Sequence, residues 1–98
     1  MKEADIQRAI LDYLAFKKYV AFKVPSGGIK IENRFIRMAK AGTSDIIGCS
    51  PTGRFIAIEV KKKSNKPTPA QLEFLDEVHR NNGIGIVAYS LDEVMRLL

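Results

Sequence analysis

Asp45-Ile46-Ile47-Gly48-Cys49-Ser50-Pro51-Thr52-Gly53-Arg54-Phe55-Ile56-Ala57-Ile58-Glu59-Val60-Lys61 reads as two short strands joined by a tight turn. Pro51-Thr52-Gly53 supplies the turn signal, and the apolar, β-branched runs on either side are strand-sized. In the second run, side chains alternate between faces. Ile56, Ile58 and Val60 therefore share one side, and Ala57, Glu59 and Lys61 the other. The first side belongs against a helix. The second sets a carboxylate and an ammonium next to each other on an otherwise apolar strand. Asp45 opens the preceding run, and a hairpin pairing can bring it near Glu59, although the sequence leaves the register open.

Outward from this pair, the periodicities change from two to 3.6. Residues 3–17 read as an amphipathic helix with Ile6, Ile10, Leu11 and Leu14 at helical spacing. Residues 19–24 read as a strand that ends at the turn signal Pro25-Ser26-Gly27-Gly28. A further strand is expected at 34–39, and the glycines and charges of 27–33 suggest a mobile loop that touches substrate. Gly42-Thr43-Ser44 leads into the Asp45 strand. After Lys61, Thr68 is a good N-cap, Pro69 falls at the first helical position, and Gln71 completes a capping box. That helix runs to about Asn82, and Gly83 is a natural stop. Residues 84–89 form a buried strand, and Ser90 caps a last helix over 91–98. The expected fold is an α/β domain, a mixed central β-sheet flanked by helices in the order α-β-β-β-α-β-α, spanning residues 1–98 as one domain.

Composition narrows the class. At 46% hydrophobic and 28% charged, the 98-residue chain is a folded protein with room for one modest core. Its longest apolar run, around Phe55 to Val60, is too short to span a bilayer. The N-terminus enters a charged helical pattern directly, without the apolar stretch of a signal peptide. Cys49 is the only cysteine, which excludes an intrachain disulfide and a cysteine-based zinc site and fits a reducing cytoplasm. It is expected as a small buried hydrophobe, and His79 as a surface or boundary residue. With a single histidine, no Ser/His/Asp or Cys/His arrangement is present. Of the net charge of +5, residues 17–66 carry +9 and the flanks −4. A basic middle suggests a polyanion, most often nucleic acid, and equally suits a plain solubilising surface.

Two acids inside that basic middle favour a specific chemistry. Carboxylates held a few ångströms apart repel unless a cation or a proton lies between them. Oxygen ligands from Asp, Glu and a backbone carbonyl suit Mg²⁺ or Mn²⁺. A neighbouring lysine orients water or offsets charge on a phosphoryl group. Glu3 continues the inward stripe of Ile10 and Leu14, so a further acid is aimed at the same place. Plainer readings stand beside each of these: a cross-strand ion pair for Glu59 and Lys61, a helix-dipole acid for Glu3, a cap for Gln71. Phosphate contacts are expected from Lys23, Lys30, Arg34, Arg37, Lys40, Lys62, Lys63 and Lys66.

These residues also resemble a known pattern. Gly42-Thr43-Ser44-Asp45, followed by Glu59-Val60-Lys61, looks like the Asp…(Asp/Glu)-x-Lys signature of the PD-(D/E)xK nuclease superfamily. Glu3, Val24-Pro25-Ser26-Gly27-Gly28, Ile58-Glu59-Val60-Lys61 and Thr68-Pro69-Ala70-Gln71 with Phe74 and Leu75 resemble, in order, the VRR-NUC (virus-type replication-repair nuclease) family. Ser44 stands where the superfamily motif has proline, at a position that shapes the turn and supplies no ligand. The resemblance implies a restriction-endonuclease-like fold. It also implies metal ligands at Asp45, Glu59 and the Val60 carbonyl, and a catalytic lysine at Lys61. Glu3 becomes an additional acid and ligand of the site, and Gln71 its neighbour. It further implies a Mg²⁺- or Mn²⁺-dependent DNA endonuclease without a nucleotide cofactor. Bare-domain members resemble phage-encoded homodimers that cut branched DNA such as Holliday junctions, which implies a cytoplasmic setting in a bacterium or phage-infected host cell. The alternative is a catalytically inactive nucleic-acid-binding module of the same fold. Such a degenerate module is expected to lack Asp45, Glu59 or Lys61, and all three are present.

Overall fold

The computed structural model describes residues 2–25, 28–37 and 39–98, with side chains except at 28–31 and 35–37. In chain order the elements are α1 (Glu3–Phe16), β1 (Val20–Lys23), β2 (Gly28–Ile31), β3 (Arg34–Arg37) and β4 (Ile46–Cys49). They continue with β5 (Phe55–Val60), α2 (Pro69–Arg80), β6 (Ile84–Ala88) and α3 (Leu91–Leu97). Four strands form the central sheet in the order β1-β4-β5-β6, antiparallel except for the parallel pair β5–β6. A parallel pair needs a crossover, and α2 supplies it. The elements of this layered unit run α-β-β-β-α-β-α, as expected.

β5 sits inside the sheet with both faces covered, so its run from Ile56 to Val60 is buried throughout. On one face, Ile56, Ile58 and Val60 pack with Ile6, Ile10 and Leu14 of α1 and Val94 of α3. On the other, Ala57 packs with Leu75 and Val78 of α2. Fully burying each such aliphatic side chain stabilises the fold by roughly 1.5–3 kcal/mol. The sheet register is thereby fixed, because a slip of one residue would turn the isoleucines outward.

Several expectations are corrected. The expected strand at 34–39 exists as β3, but it pairs with β2 in a separate two-stranded hairpin rather than with the central sheet. The expected loop at 27–33 is therefore largely β2 and its turn, in which Glu32 takes a positive φ of 57°. Ser26, Gly27 and Met38 lie outside the described residues. At the end of α2 the left-handed residue is Asn82 (φ 65°), not Gly83. Gly83 is needed for another reason, since a Cβ there would lie 2.7 Å from Val78 Cγ1. Cys49 is exposed rather than buried. Its row in the sheet, with Val20 and Phe55, lies on the face that α2 leaves open at that end. His79, by contrast, is exposed as a surface residue was expected to be, with Nε2 3.0 Å from the Gly85 carbonyl.

The loop before β4 is docked through a glycine. Gly42 has φ +80°, and a Cβ there would come within 2.2 Å of the Ala70 carbonyl oxygen in the first turn of α2. Gly53 has a similar φ of +90° in the β4–β5 turn, with nothing within 4 Å of such a Cβ. Gly53→Ala is expected to cost only the left-handed penalty, about 1–2 kcal/mol. Gly42→Ala is expected to cost clearly more, because loop and helix must separate. Urea unfolding of the two variants measures the difference, and equal losses would contradict a docked loop.

Candidate active site

The β4–β5 ladder pairs Ile46 with Ile58, and one further step sets Asp45 across from Glu59. Asp45 stands one residue before β4, where its carbonyl accepts from the Val24 amide at 2.7 Å. Its side chain turns toward β5, and Oδ2 accepts from the Val60 N–H at 2.7 Å. The register that the sequence left open thus brings the two acids together.

Glu59 is 2% exposed. Its Oε2 accepts from Gln71 Nε2 at 3.0 Å and lies 3.7 Å from Lys61 Nζ. Its Oε1 is buried without a hydrogen-bond partner. Burial pushes the Glu59 carboxyl up from 4.5 to about 8. The neighbouring Asp45 carboxylate pushes in the same direction, and Lys61 pulls part of the way back. At neutral pH, with no cation present, the acid pair therefore holds a proton.

Gln71 answers an either-or posed by the sequence. Its Oε1 accepts from the Thr68 N–H at 2.8 Å and its backbone N–H donates to Thr68 Oγ1 at 3.2 Å, the capping box. Its Nε2 is left for Glu59. One amide side chain closes the helix and orients the buried acid.

Glu3 sits at the start of α1, and its Oε2 accepts from the Lys62 N–H at 3.2 Å. It is tied to the segment leaving β5. Among the described residues, no three His, Cys, Asp or Glu side chains gather closely enough to hold a metal ion. Glu3 therefore does not join Asp45 and Glu59 in a three-acid cluster in this arrangement. Val60 is buried between Glu59 and Lys61 at the end of β5. The donor set still fits a hard divalent cation. Two carboxylates stand together, one of them with a buried oxygen that no protein donor reaches, and both sit beside backbone carbonyls.

A cleft of about 190 Å³ opens beside Asp45, walled by Pro25, Lys40, Gly42, Thr43 and Gln71 among others. Of the expected phosphate contacts, Lys23, Arg34, Lys62, Lys63 and Lys66 are exposed. Lys40 is exposed but engaged, with Nζ 3.0 Å from both carboxylate oxygens of Glu77, so its charge is already compensated. The side chains of Lys30 and Arg37, on the β2–β3 hairpin, lie outside those described.

Two polar residues were missed by the sequence reading. Gln7 is buried with Oε1 unpartnered, and Ser44 is buried with Oγ unpartnered. Gln7 had a visible signal. Glu3, Gln7, Ile10 and Leu14 follow one another at helical spacing, so an amide interrupts the inward stripe one turn after Glu3. Ser44 had none, since a serine in a turn is ordinary.

Comparison with known proteins gives a consistent picture. The family model of the VRR-NUC domain matches residues 1–92. One solved structure, described as a VRR_NUC domain, is 22% identical with a TM-score of 0.70, and the match covers 97% of this chain and 91% of that one. Another, described as a VRR_NUC domain protein, is 20% identical with a TM-score of 0.62, covering 99% and 84%. These likenesses establish a shared fold. No curated protein matches.

The proton on the acid pair has a measurable consequence. A carboxyl whose folded pKa is raised binds more protons folded than unfolded, so its contribution to stability is full below 4.5 and is lost as pH rises to about 8. In chelator-treated protein, the stability difference between the native chain and Glu59→Gln is expected to shift against the native chain across that window and to level off above it. Denaturant midpoints at a series of pH values test this, and a difference flat in pH would contradict it.

Proposed function

The chain belongs to the VRR-NUC family, and on that premise we propose that it is a metal-dependent DNA endonuclease that hydrolyses phosphodiester bonds at Asp45, Glu59 and Lys61. The observation that carries the proposal is the register-matched acid pair in which Glu59 is buried with Oε1 unpartnered and Lys61 stands beside it.

In this reading Asp45, Glu59 and the Val60 carbonyl hold Mg²⁺ or Mn²⁺. When bound, the ion polarises the scissile phosphate and lowers the pKa of water near it. The chain's own groups do the rest. Gln71 fixes Glu59 Oε2, so the carboxylate keeps one orientation. Lys61, already within 3.7 Å of Glu59, offsets the negative charge that grows on the phosphoryl oxygens as water adds. The water oxygen forms a bond to phosphorus and gives up one proton to solvent, and the P–O bond to the leaving sugar oxygen breaks as that oxygen takes a proton from solvent. Glu3 steadies the backbone of Lys62 and with it the basic segment 61–66.

The substrate proposed is branched DNA such as a Holliday junction. A homodimer is proposed with it, because one small site cuts one strand and paired symmetric cuts require two-fold symmetry. Phosphate contacts are assigned to Lys23, Lys30, Arg34, Arg37, Lys62, Lys63 and Lys66.

Labelled four-way junction, duplex and single-stranded DNA, incubated with the protein and Mg²⁺ or Mn²⁺, test the reading. Paired nicks in the junction are expected, and Asp45→Asn, Glu59→Gln and Lys61→Met are each expected to slow them roughly 100- to 1,000-fold. Binding without cutting under either ion would favour the inactive binding module instead. The two roles of Gln71 separate in the same assay. Thr68→Ala should cost about 1 kcal/mol of stability with little change in cutting, whereas Gln71→Met should lower both. Equal losses of cutting would confine Gln71 to the cap.

A further inference from the structure

Beyond the acid pair, the chain that leaves β5 borders an open cleft of about 620 Å³, lined by Ile6, Lys62, Lys63, Ser64 and Tyr89. A second hollow of about 320 Å³ lies against Ile6, Ala9, Tyr89 and Leu91, with Asp92 at its edge. Both volumes are of ligand-pocket size, roughly 300–1,000 Å³. Ile6 and Tyr89 line both hollows, so an apolar residue and an aromatic ring form their common wall.

That wall is held in place. Tyr89 donates its hydroxyl to the Asn65 carbonyl at 3.1 Å, and its backbone N–H donates to Glu93 Oε1 at 3.1 Å. Asn65 is in turn the end of a tight turn, its N–H donating to the Lys62 carbonyl at 2.9 Å. The Lys62 N–H donates to Glu3. The ring, Lys62 and the acid of α1 are therefore linked through one chain of hydrogen bonds. Neither Lys62 nor Lys63 forms an ion pair among the described residues.

We propose that this cleft holds one unpaired nucleotide of the DNA substrate, with its base against Tyr89 and Ile6 and its phosphate on Lys62 and Lys63. The proposal rests on the nuclease reading of the neighbouring acid pair. Base-on-aromatic stacking next to a cationic mouth is how single-stranded nucleic acid is held without sequence preference. A base inside a duplex is already stacked on both sides and cannot enter. Lys62 follows Lys61 in the segment that leaves β5, so the cleft opens just past the end of the strand that carries Glu59, on the side where Ile6 of α1 packs. The cleft thus favours branched substrates whose branch point offers an unpaired nucleotide near the site, and Tyr89 sets that preference.

The test compares three probes by fluorescence anisotropy, using the full chain carrying Glu59→Gln so that nothing is cut. The probes are a fully paired hairpin, the same hairpin with a short single-stranded flap, and the same flap built from abasic nucleotides. Tighter binding of the base-bearing flap than of the abasic one is expected, by about 5- to 150-fold, the value of stacking one base. Tyr89→Leu should remove that preference and leave affinity for the abasic flap in place, which also reports a folded protein. Tyr89→Phe, which keeps the ring, should retain it. Equal binding of the two flaps, or a preference that survives Tyr89→Leu, would overturn the cleft while the nuclease reading stands. Failure to bind any of the three probes, with the four-way junction still cut by the native chain, would likewise overturn the cleft alone.

Discussion

The architecture turns on holding Asp45 and Glu59 side by side where water is scarce. Two like charges in a buried place oppose the folded state, and the Glu59 carboxyl responds by keeping its proton up to about pH 8. What enforces the juxtaposition is the pairing of Ile46 with Ile58 one step along the same ladder. Those isoleucines are fully buried in the main core, and turning them outward would forfeit several kcal/mol of burial. Core packing thus supplies the free energy, and the register converts it into the position of two acids.

Around that pair, three elements bring their ends to the same edge of the sheet. α2 begins there, and Gln71 reaches Glu59 from its first turn. α1 begins there too, and Glu3 reaches the backbone just past Lys61. The loop from 39 to 44 passes along the start of α2, and the contact is close enough that Gly42 admits no side chain. Helix starts carry partial positive charge from their unpaired N–H groups. Gathering two of them near a pair of carboxylates moderates the repulsion, and Gln71 adds a neutral donor at the atom where Lys61 is only 3.7 Å away. The result is a site in which the second Glu59 oxygen is buried without a partner.

Much of this was legible in the sequence because the signals were local. The alternation in Phe55–Val60 identified which side chains faced the core, and Thr68-Pro69-Ala70-Gln71 marked the start of α2 within one residue. Cys49 and the 27–33 segment were misread because their surroundings are set by distant elements. Cys49 lies on an apolar strand, and its exposure depends on where α2 stops covering the sheet, which no local pattern records. Segment 28–31 has a strand partner only because residues 34–37 fold back on it, outside the central sheet. Lys40 was expected to be free for phosphate, but Glu77 lies thirty-seven positions away and nothing near Lys40 foretold it. The register of Asp45 against Glu59 belongs between these cases. Its possibility was visible in the turn, and its realisation needed the packed core.

The hairpin of β2 and β3 shows why such a small sheet can carry more than its catalytic groups. Val24 and Pro25 lead into it, residues 39–44 lead out of it, and both stretches line the cleft beside Asp45. The insertion is therefore rooted on the rim of the site rather than in the core. It pairs only with itself among the sheet strands, so its length and its cations can change without disturbing the Ile46–Ile58 register. The geometry of the acid pair and the proposed substrate contacts thus lie in separate parts of one chain. The first is locked by buried isoleucines. The second, in the proposed reading, belongs to residues 28–37 and to Lys62, Lys63 and Tyr89, none of which takes part in the Ile46–Ile58 pairing.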